Sequence, residues 1–499
     1  MAGGGTMRLS KSTFIAWQQC PHNAWYRVND RALFDTFVDP NTKVLFAVGN
    51  EIDELARQAF PGGLLLGRGQ ASETRAAIAR REPAIFQGEF VTDKLVVLCD
   101  VLVWNVRANA YDLIEVKSST SSSTRRDNEY AFDLAFHEHV LKASGVPVGC
   151  AHLMRLNSDY VRRGPVDIAQ LFVRTDFGEA VAGVRDTLAS LIDEAHRWIN
   201  IKTPPKGPCP CVRLSRGNHC EMFAHINPNI PDYSVHDIAR INGRKLETLI
   251  DDGIVQITDV PDDFALSEKQ ATQVRIARSG KPEIDRAAIG AFMHGIALPA
   301  AFLDFETHNP ALPRFDGYRP YQQIPFQFSL HVVQQSEHEP THFEFLHLEG
   351  SEPDHAFMDA LQRVMPRAGS VIVWNKAFER SRLSKIASRH AEYAGFVDDV
   401  SARLVDLAEV FSQQLYVHPE FHGSYSVKAV LPVLIPTLSY DRLVIRDGAG
   451  AQIEWNNIVT GAYDRKNPRT RRMPCGPTAG STRWRWLRSR RRCERSDRV

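Results

Sequence analysis

Asp100, Glu115 and Lys117 are residues whose types and spacing could act on a phosphodiester. Two carboxylates can hold a Mg²⁺ or Mn²⁺ ion through oxygen ligands while leaving waters on it. An ammonium beside them can orient or help deprotonate the attacking water and offset charge on the phosphate. Glu115 and Lys117 are two apart, so on a strand they share a face. A lone Glu-x-Lys is equally a cross-face surface ion pair. The balance shifts because Asp100 lies inside an apolar stretch ahead of them and Ser118-Ser119 follows.

A second set lies far along the chain. Asp304 and Glu306 are also two apart in an apolar run, and such a pair is costly to bury without a cation. A strand-end turn, or a degenerate inactive site, would leave the same trace. Cys20, Cys209, Cys211 and Cys220 form a third set, one near the start and three clustered. Four soft thiolates suit an iron–sulfur cluster or zinc, and simple reduced thiols are the other reading. Cys99 and Cys150 have apolar surroundings and read as core residues.

Elements must position these side chains. Leu95–Trp104 reads as one strand and Tyr111–Lys117 as the next, joined by a short polar hairpin near Asn109, which makes Asp100 and Glu115 sheet neighbours. From Ala300 the pattern becomes three short strands, at Phe302–Phe305, Pro325–Val333 and Phe343–Leu348. A helix near Asp354–Val364, a strand at Val371–Trp374 and a helix from Lys376 follow. The expected class is α/β in several domains, since 499 residues exceed what one core serves. The expected boundaries are a first α/β domain over 1–225, a helical linker over 226–295, a mixed-sheet domain over 296–464, and a basic aperiodic tail over 465–499.

Hydrophobic residues make up 43% of the chain and no run is long enough for a membrane helix, so no membrane span is expected. Met1–Ser10 lacks an apolar signal core, and the expected location is a reducing cytoplasm. The net charge of +1 hides an asymmetry. Residues 465–499 hold thirteen Arg or Lys against Glu494 and Asp497, a local charge of +11 that leaves −10 for the rest. A basic arm for nucleic acid is one account of the tail; its lack of any period favours the other, a frameshifted or otherwise altered C-terminus.

The pattern Asp100…Glu115-Val-Lys117 resembles the core of the PD-(D/E)XK superfamily, RecB- and Cas4-like nucleases in particular. Leu9-Ser10-Lys11-Ser12-Thr13-Phe14…Cys20-Pro21 adds to that likeness, as does a helix beginning near Gly49 with Glu51, Asp53 and Glu54. The resemblance implies a restriction-endonuclease-like α/β core in which an acid of that helix, taken as Glu54, completes the metal site. Tyr130 and His137 stand on a helix where such nucleases carry a Gln/Tyr motif. The four cysteines resemble the branch in which thiolates join both ends of the domain around a [4Fe–4S] cluster, here with a tighter Cys-x-Cys at Cys209 and Cys211.

Phe302-Leu-Asp304-Phe-Glu306-Thr307 resembles the first motif of DEDD exonucleases, and Asn375-Lys-Ala-Phe378-Glu379 their second, with Glu for Asp. With Leu404-Val-Asp406-Leu and Ser424–Pro432, these segments look like the DUF2779 family. That likeness implies an RNase H-like domain with Asp304, Glu306 and Glu379 at a metal, and a fourth acid that nothing after Asp464 supplies. Residues 246–261 resemble a helix-hairpin-helix spacer, or an ordinary helical linker. The function expected is metal-dependent hydrolysis of nucleic acid, DNA rather than RNA, with the second half weak or inactive. The alternative is a module that binds nucleic acid or protein without cutting.

Overall fold

A computed structural model describes residues 6–39, 42–121, 123–335, 339–436 and 448–461. The basic tail expected at 465–499 lies outside them. The chain is mixed α/β and divides into two compact units. Unit 1 is Met1–Ile230 with Ala311–Tyr321, and unit 2 is Pro231–Pro310 with Gln322–Val499. Among the described residues no helix is long and apolar enough to cross a membrane.

Unit 1 carries, in order, β1 (Leu9–Ser10), α1 (Lys11–Gln19), α2 (Pro21–Asn29), α3 (Arg31–Phe37), α4 (Thr42–Arg57), β2 (Leu64–Leu65), α5 (Ala71–Ala79), β3 (Ala84–Val91), β4 (Leu95–Asn105), β5 (Ala110–Lys117), α6 (Thr124–Ala143), β6 (Val148–Leu156), α7 (Ile168–Leu171), β7 (Phe172–Asp176), α8 (Gly178–Ile199) and α9 (Phe223–Ile226). The strands form one mixed sheet, β2-β3-β4-β5-β6-β7, with β1 paired to β4. The β4–β5 hairpin turns at Asn109, held at φ +49, a conformation Asn tolerates better than most side chains. Alternation on β5 then sends Leu113 to the core shared with α1, α6 and α8, and Ile114 and Val116 to the opposite core, which includes Ile52 and Ala56 of α4. Glu115 and Lys117 follow Leu113. The helix expected from Gly49 starts earlier, at Thr42.

The segment Ala311–Tyr321 completes unit 1 from far along the chain. Arg162 donates to the carbonyls of Pro313 (3.1 Å) and Arg314 (2.6 Å), and its own carbonyl accepts from Gly317 N at 2.9 Å. Tyr321 donates its hydroxyl to the carbonyl of Ser118, the residue after Lys117, at 3.0 Å.

Unit 2 opens with α10 (Gly243–Asp251), α11 (Glu268–Ser279), β8 (Glu283–Ile284) and α12 (Arg286–His294). The segment expected as a linker has a core of its own, built on Val235, Ile238, Leu246, Leu249, Ile257, Val260 and Val274. After α10 the chain reverses at Gly253, φ +75, where Ile254 N returns to the carbonyl of Leu249 at 2.8 Å. There follow β9 (Ala300–His308), β10 (Ile324–Val333), β11 (Thr341–Leu346), α13 (Asp354–Val364), β12 (Val371–Val373), α14 (Lys376–Arg389), α15 (Ala394–Ala402), β13 (Leu404–Asp406), α16 (Glu409–Ser412), β14 (Tyr416–Val417), α17 (Val427–Leu434) and α18 (Gly448–Val459). The main sheet runs β11-β10-β9-β12-β13. Its first three strands are antiparallel, and β12 and β13 lie parallel to β9. Leu303 and Phe305 face the core beneath α13, α14 and α15, whereas Phe302, Ile372 and Trp374 face a second core on the other side.

Candidate active site and thiol cluster

Pairing between β4 and β5 runs from Asn105↔Ala110 to Val101↔Ile114 and stops there. Asp100, the next residue on β4, fills the fork with its side chain. Its Oδ2 accepts from Val116 N at 2.9 Å and its Oδ1 from Gln87 Nε2 at 3.3 Å. The register does not continue to Asp100 and Glu115, but the two carboxyls lie close enough for the charge of Glu115 to act on Asp100. Glu115 is 1% exposed and surrounded by cations. Its Oε1 accepts from Lys117 Nζ at 2.6 Å and from Lys11 Nζ at 2.8 Å, and its Oε2 lies 3.3 Å from His137 Nδ1. An isolated buried carboxylate would be neutral, and here the opposite charges reverse that outcome. Burial works against its ionisation, but Lys11, Lys117 and His137 outweigh it and hold Glu115 well below the ordinary carboxylate range.

Asp133 was not anticipated. It projects from α6 one turn before His137, so both reach the cleft from one helix face. Its Oδ2 accepts from Lys117 Nζ at 2.7 Å, and Lys11 Nζ is 3.1 Å from Oδ1. Tyr130, a turn earlier still, lays its ring 5.5 Å from the Lys117 ammonium. Burial would lower the pKa of Lys117, but Glu115 and Asp133 raise it well above its usual value, so the amine stays charged. Lys11 is raised for the same reasons. Glu115, Asp133 and His137 offer ligand atoms within 4.8 Å of one another.

The acid of α4 differs from the expectation. Ile52 and Ala56 mark the buried line of the helix. Asp53 flanks that line, and Glu54, a further 100° around, is exposed. Asp53, not Glu54, shares an electrostatic environment with the cleft. Burial first, and then the charge of Glu115, raises its pKa to about 6. Burial and Glu115 likewise push Asp100 up to about 8, with Asp53 adding to the effect.

The cysteines meet as one group. Cys20, Cys209, Cys211 and Cys220 place their sulfurs within 4.8 Å of one another. Cys20 caps α2, its sulfur accepting from Asn23 N at 3.4 Å with Pro21 in the first turn. Cys209 accepts from Asn227 Nδ2 at 3.4 Å. Hydrogen bonds among the four sulfurs lower the Cys209 and Cys211 thiols and raise those of Cys20 and Cys220, so the metal-site reading rests on the shared position of the sulfurs. Cys99 is buried as expected, whereas Cys150 is exposed.

In unit 2 the acids are less closely assembled. Asp304 is buried on β9 opposite Ser329, with Glu306 opposite Gln327. Glu379 is buried in the first turn of α14, just past the end of β12, where Asn375 caps the helix. Among the described residues, none of the groups with ligand atoms inside 4.8 Å contains Asp304, Glu306 or Glu379. Asp304 and Glu306 alternate with Leu303 and Phe305 on β9, and Glu379 lies one turn before Leu383 on α14. Asp406 has a structural part, accepting from Lys376 N at 2.9 Å and Ala408 N at 3.0 Å.

Known proteins resemble parts of this chain. Over 271 residues it is 25% identical to the uncharacterized protein UU173 of Ureaplasma parvum serovar 3, a match covering 47% of this chain and 39% of that protein. Over 169 residues it is 30% identical to the uncharacterized protein MG366 homolog of Mycoplasma pneumoniae, covering 30% of this chain and 25% of the other. The chain thus spans well under two thirds of the length of these relatives. Residues 301–426 match a family model whose description is a domain of unknown function, DUF2779.

Proposed function

We propose that the chain is a metal-dependent nuclease that hydrolyses phosphodiester bonds of nucleic acid in unit 1, with DNA the favoured substrate. The observation that carries this reading is the β4–β5 fork, where Lys117 is bonded to the buried Glu115 at 2.6 Å and Asp100 lies within reach of the charge of Glu115. The donor set fits a hard divalent cation. Asp53 and Asp100 are raised by burial and by the charge of Glu115, a strain that Mg²⁺ or Mn²⁺ between oxygen ligands relieves. Asp53, Asp100 and Glu115 would hold the ion, which when bound polarises the phosphoryl oxygen and acidifies a water. Lys117, kept charged by Glu115 and Asp133, offers positive charge and a proton to the phosphate rather than acting as a base. Tyr130 and Asp133 fix where that ammonium points.

The thiols suit a [4Fe–4S] cluster, with zinc the second candidate. Either would tie α2 to the Cys209–Cys220 segment and leave hydrolysis to the acidic cleft. For unit 2 the strand order β11-β10-β9-β12-β13 is that of RNase H-like folds, which supports an exonuclease-like ancestry. The sequence after Asp464, which offers no acid with a His or Tyr four or five residues before it, supports a weak or inactive site there, one that grips nucleic acid without cutting it.

The test uses the full chain with Mg²⁺ or Mn²⁺ and end-labelled single- and double-stranded DNA and RNA. Cleavage should fall by roughly 100-fold or more in Lys117→Ala and Asp100→Asn and persist in Asp304→Ala. Equal cleavage by the wild type and both unit 1 variants would sink the proposal.

A further inference from the structure

Unit 2 contains a cavity of about 570 Å³, bounded by the N-terminal ends of α10 and α11 on one side and by residues 411–425 on the other. Its charge is one-sided. Arg240, Lys245 and Lys269 line it, and no Asp or Glu does among the described residues. Asn242 and Ser267, the N-caps of α10 and α11, also line it, so both helices direct the positive ends of their dipoles into the same space. Lys269 is engaged, donating to the carbonyl of Ser412 at 2.6 Å and so joining the two walls. Arg240 and Lys245 make no ion pair with a carboxylate among the described residues, which leaves two cations for an anionic ligand.

The walls are built rather than accidental. Gln270 and Gln273 are buried, and their amides fix the chain just before Arg240. Gln270 donates to the Ala239 carbonyl at 3.0 Å, while Gln273 accepts from Ala239 N at 2.8 Å and donates to the Asp237 carbonyl at 2.9 Å. Arg240 is held at φ +53, and Gln414 on the facing wall at φ +61. Gly423, φ +75, lets that wall close against Gln273, since a Cβ there would stand 2.3 Å from Gln273 Nε2. The facing wall is also aromatic. Tyr416 packs with Phe421 (5.7 Å) and Phe411 (6.1 Å), and Tyr425 remains 46% exposed at the rim.

Cations and helix N-termini opposite aromatic rings, in a volume of this size, match one ligand chemistry: a phosphate joined to a planar base. We propose that this cavity binds a nucleotide, its phosphate held by Arg240 and Lys245 between the two helix N-termini and its base laid against Tyr416 and Tyr425. The nucleotide is either free or part of a strand. The site goes beyond the nuclease reading of unit 1 and does not require that reading to hold.

The test is calorimetric titration of the full chain carrying Lys117→Ala, which keeps binding separate from cleavage, with 5′-dAMP, 2′-deoxyadenosine and a short oligo-dA. Arg240→Gly with Lys245→Ala removes both cations while suiting the backbone of residue 240, and Tyr425→Ala, at an exposed position, probes the base. Thermal melts check that each variant folds. We expect 5′-dAMP to bind, deoxyadenosine to bind at least about tenfold more weakly, and the double variant to lose at least about tenfold in affinity for 5′-dAMP, with a smaller loss for Tyr425→Ala. A parallel loss for oligo-dA identifies a strand as the source, and an unchanged oligo-dA affinity identifies a free nucleotide. No heat with 5′-dAMP, or 5′-dAMP binding unchanged in the folded double variant, overturns the proposal. Either result stands apart from the fate of the nuclease reading, which is decided by cleavage in Lys117→Ala and Asp100→Asn.

Discussion

Lys117 is held by two carboxylates, and only one of them is its neighbour on the strand. Asp133 anchors the same ammonium from α6 at 2.7 Å and engages Lys11 as well. Outer partners of this kind commonly change activity by about 10–100-fold without ligating a metal. Asp133→Ala should therefore lower cleavage by roughly that factor and leave Mn²⁺ affinity within about threefold, because the proposed ligands are Asp53, Asp100 and Glu115. Titrating Mn²⁺ against both proteins, alongside a cleavage assay, separates the two effects. A loss of metal binding as large as the loss of rate would place Asp133 among the ligands instead. The raised carboxyls give a second expectation. Metal-free folded protein holds protons on Asp100 up to about pH 8 and on Asp53 up to about pH 6, whereas unfolded chain releases them near the ordinary value of 3.8. Their contribution to stability is thus greatest at low pH and is lost as pH rises through those values; Glu115, shifted down, acts in the opposite sense only below its usual 4.5. The melting temperature of metal-free protein should fall between about pH 5 and pH 8.5, added Mn²⁺ should raise it most at the upper end, and Asp100→Asn should flatten the fall. A metal effect largest at pH 5 would contradict this.

At the scale of elements, the junction that starts β9 and β12 depends on one glycine. Gly369 has φ +84, and a Cβ there would meet the Pro299 carbonyl oxygen at 2.0 Å. Gly369→Ala should cost roughly 2–4 kcal/mol in urea unfolding, against about 1 kcal/mol for Gly253→Ala, which shares the positive φ with nothing within 4 Å. Equal costs would show that the junction yields. Strands were the elements most readable from the chain. The apolar runs around Asp100 and before Lys117 have period two, and a two-residue offset fixes a shared face without knowledge of the rest. Helix phase was harder. Choosing between Asp53 and Glu54 required knowing that Ile52 and Ala56 form the buried line, and three adjacent acidic or apolar choices do not announce it. Asp133 was hidden because α6 is buried on more than one side, so its polar positions form no outward stripe; the spacing of Asp133 and His137 is visible only once His137 is known to point inward. Glu379 was legible as a helix start but not as a buried residue, which depends on which core α14 covers.

For the molecule as a whole, the thiol group joins the second helix to a segment near residue 220, closing most of unit 1 into a loop. A bound metal or cluster would convert its binding energy into folding energy for unit 1 alone. Stripping it, or introducing Cys209→Ser, should lower the melting of unit 1 by several degrees and leave unit 2 unchanged, as followed by hydrogen exchange of β4–β6 against β9–β12. Equal loss of protection in both would show that the thiols act on more than their own unit.

Ala311–Tyr321 belongs to unit 1 although the 80 residues before it belong to unit 2. On the ribosome this sets a schedule. The hydroxyl that fixes the Ser118 carbonyl, beside Lys117, is translated more than 200 residues after Ser118 itself. Unit 1 therefore cannot acquire its last segment as it is made: β5 pairs with β4 and β6 early, but the Ser118 carbonyl waits for Tyr321 until much of the following unit has left the exit tunnel. A nascent chain arrested before residue 311 should carry the acids and the lysine of the cleft without that hydrogen bond, so the proposed cleavage should be weaker in it than in a chain that includes Tyr321.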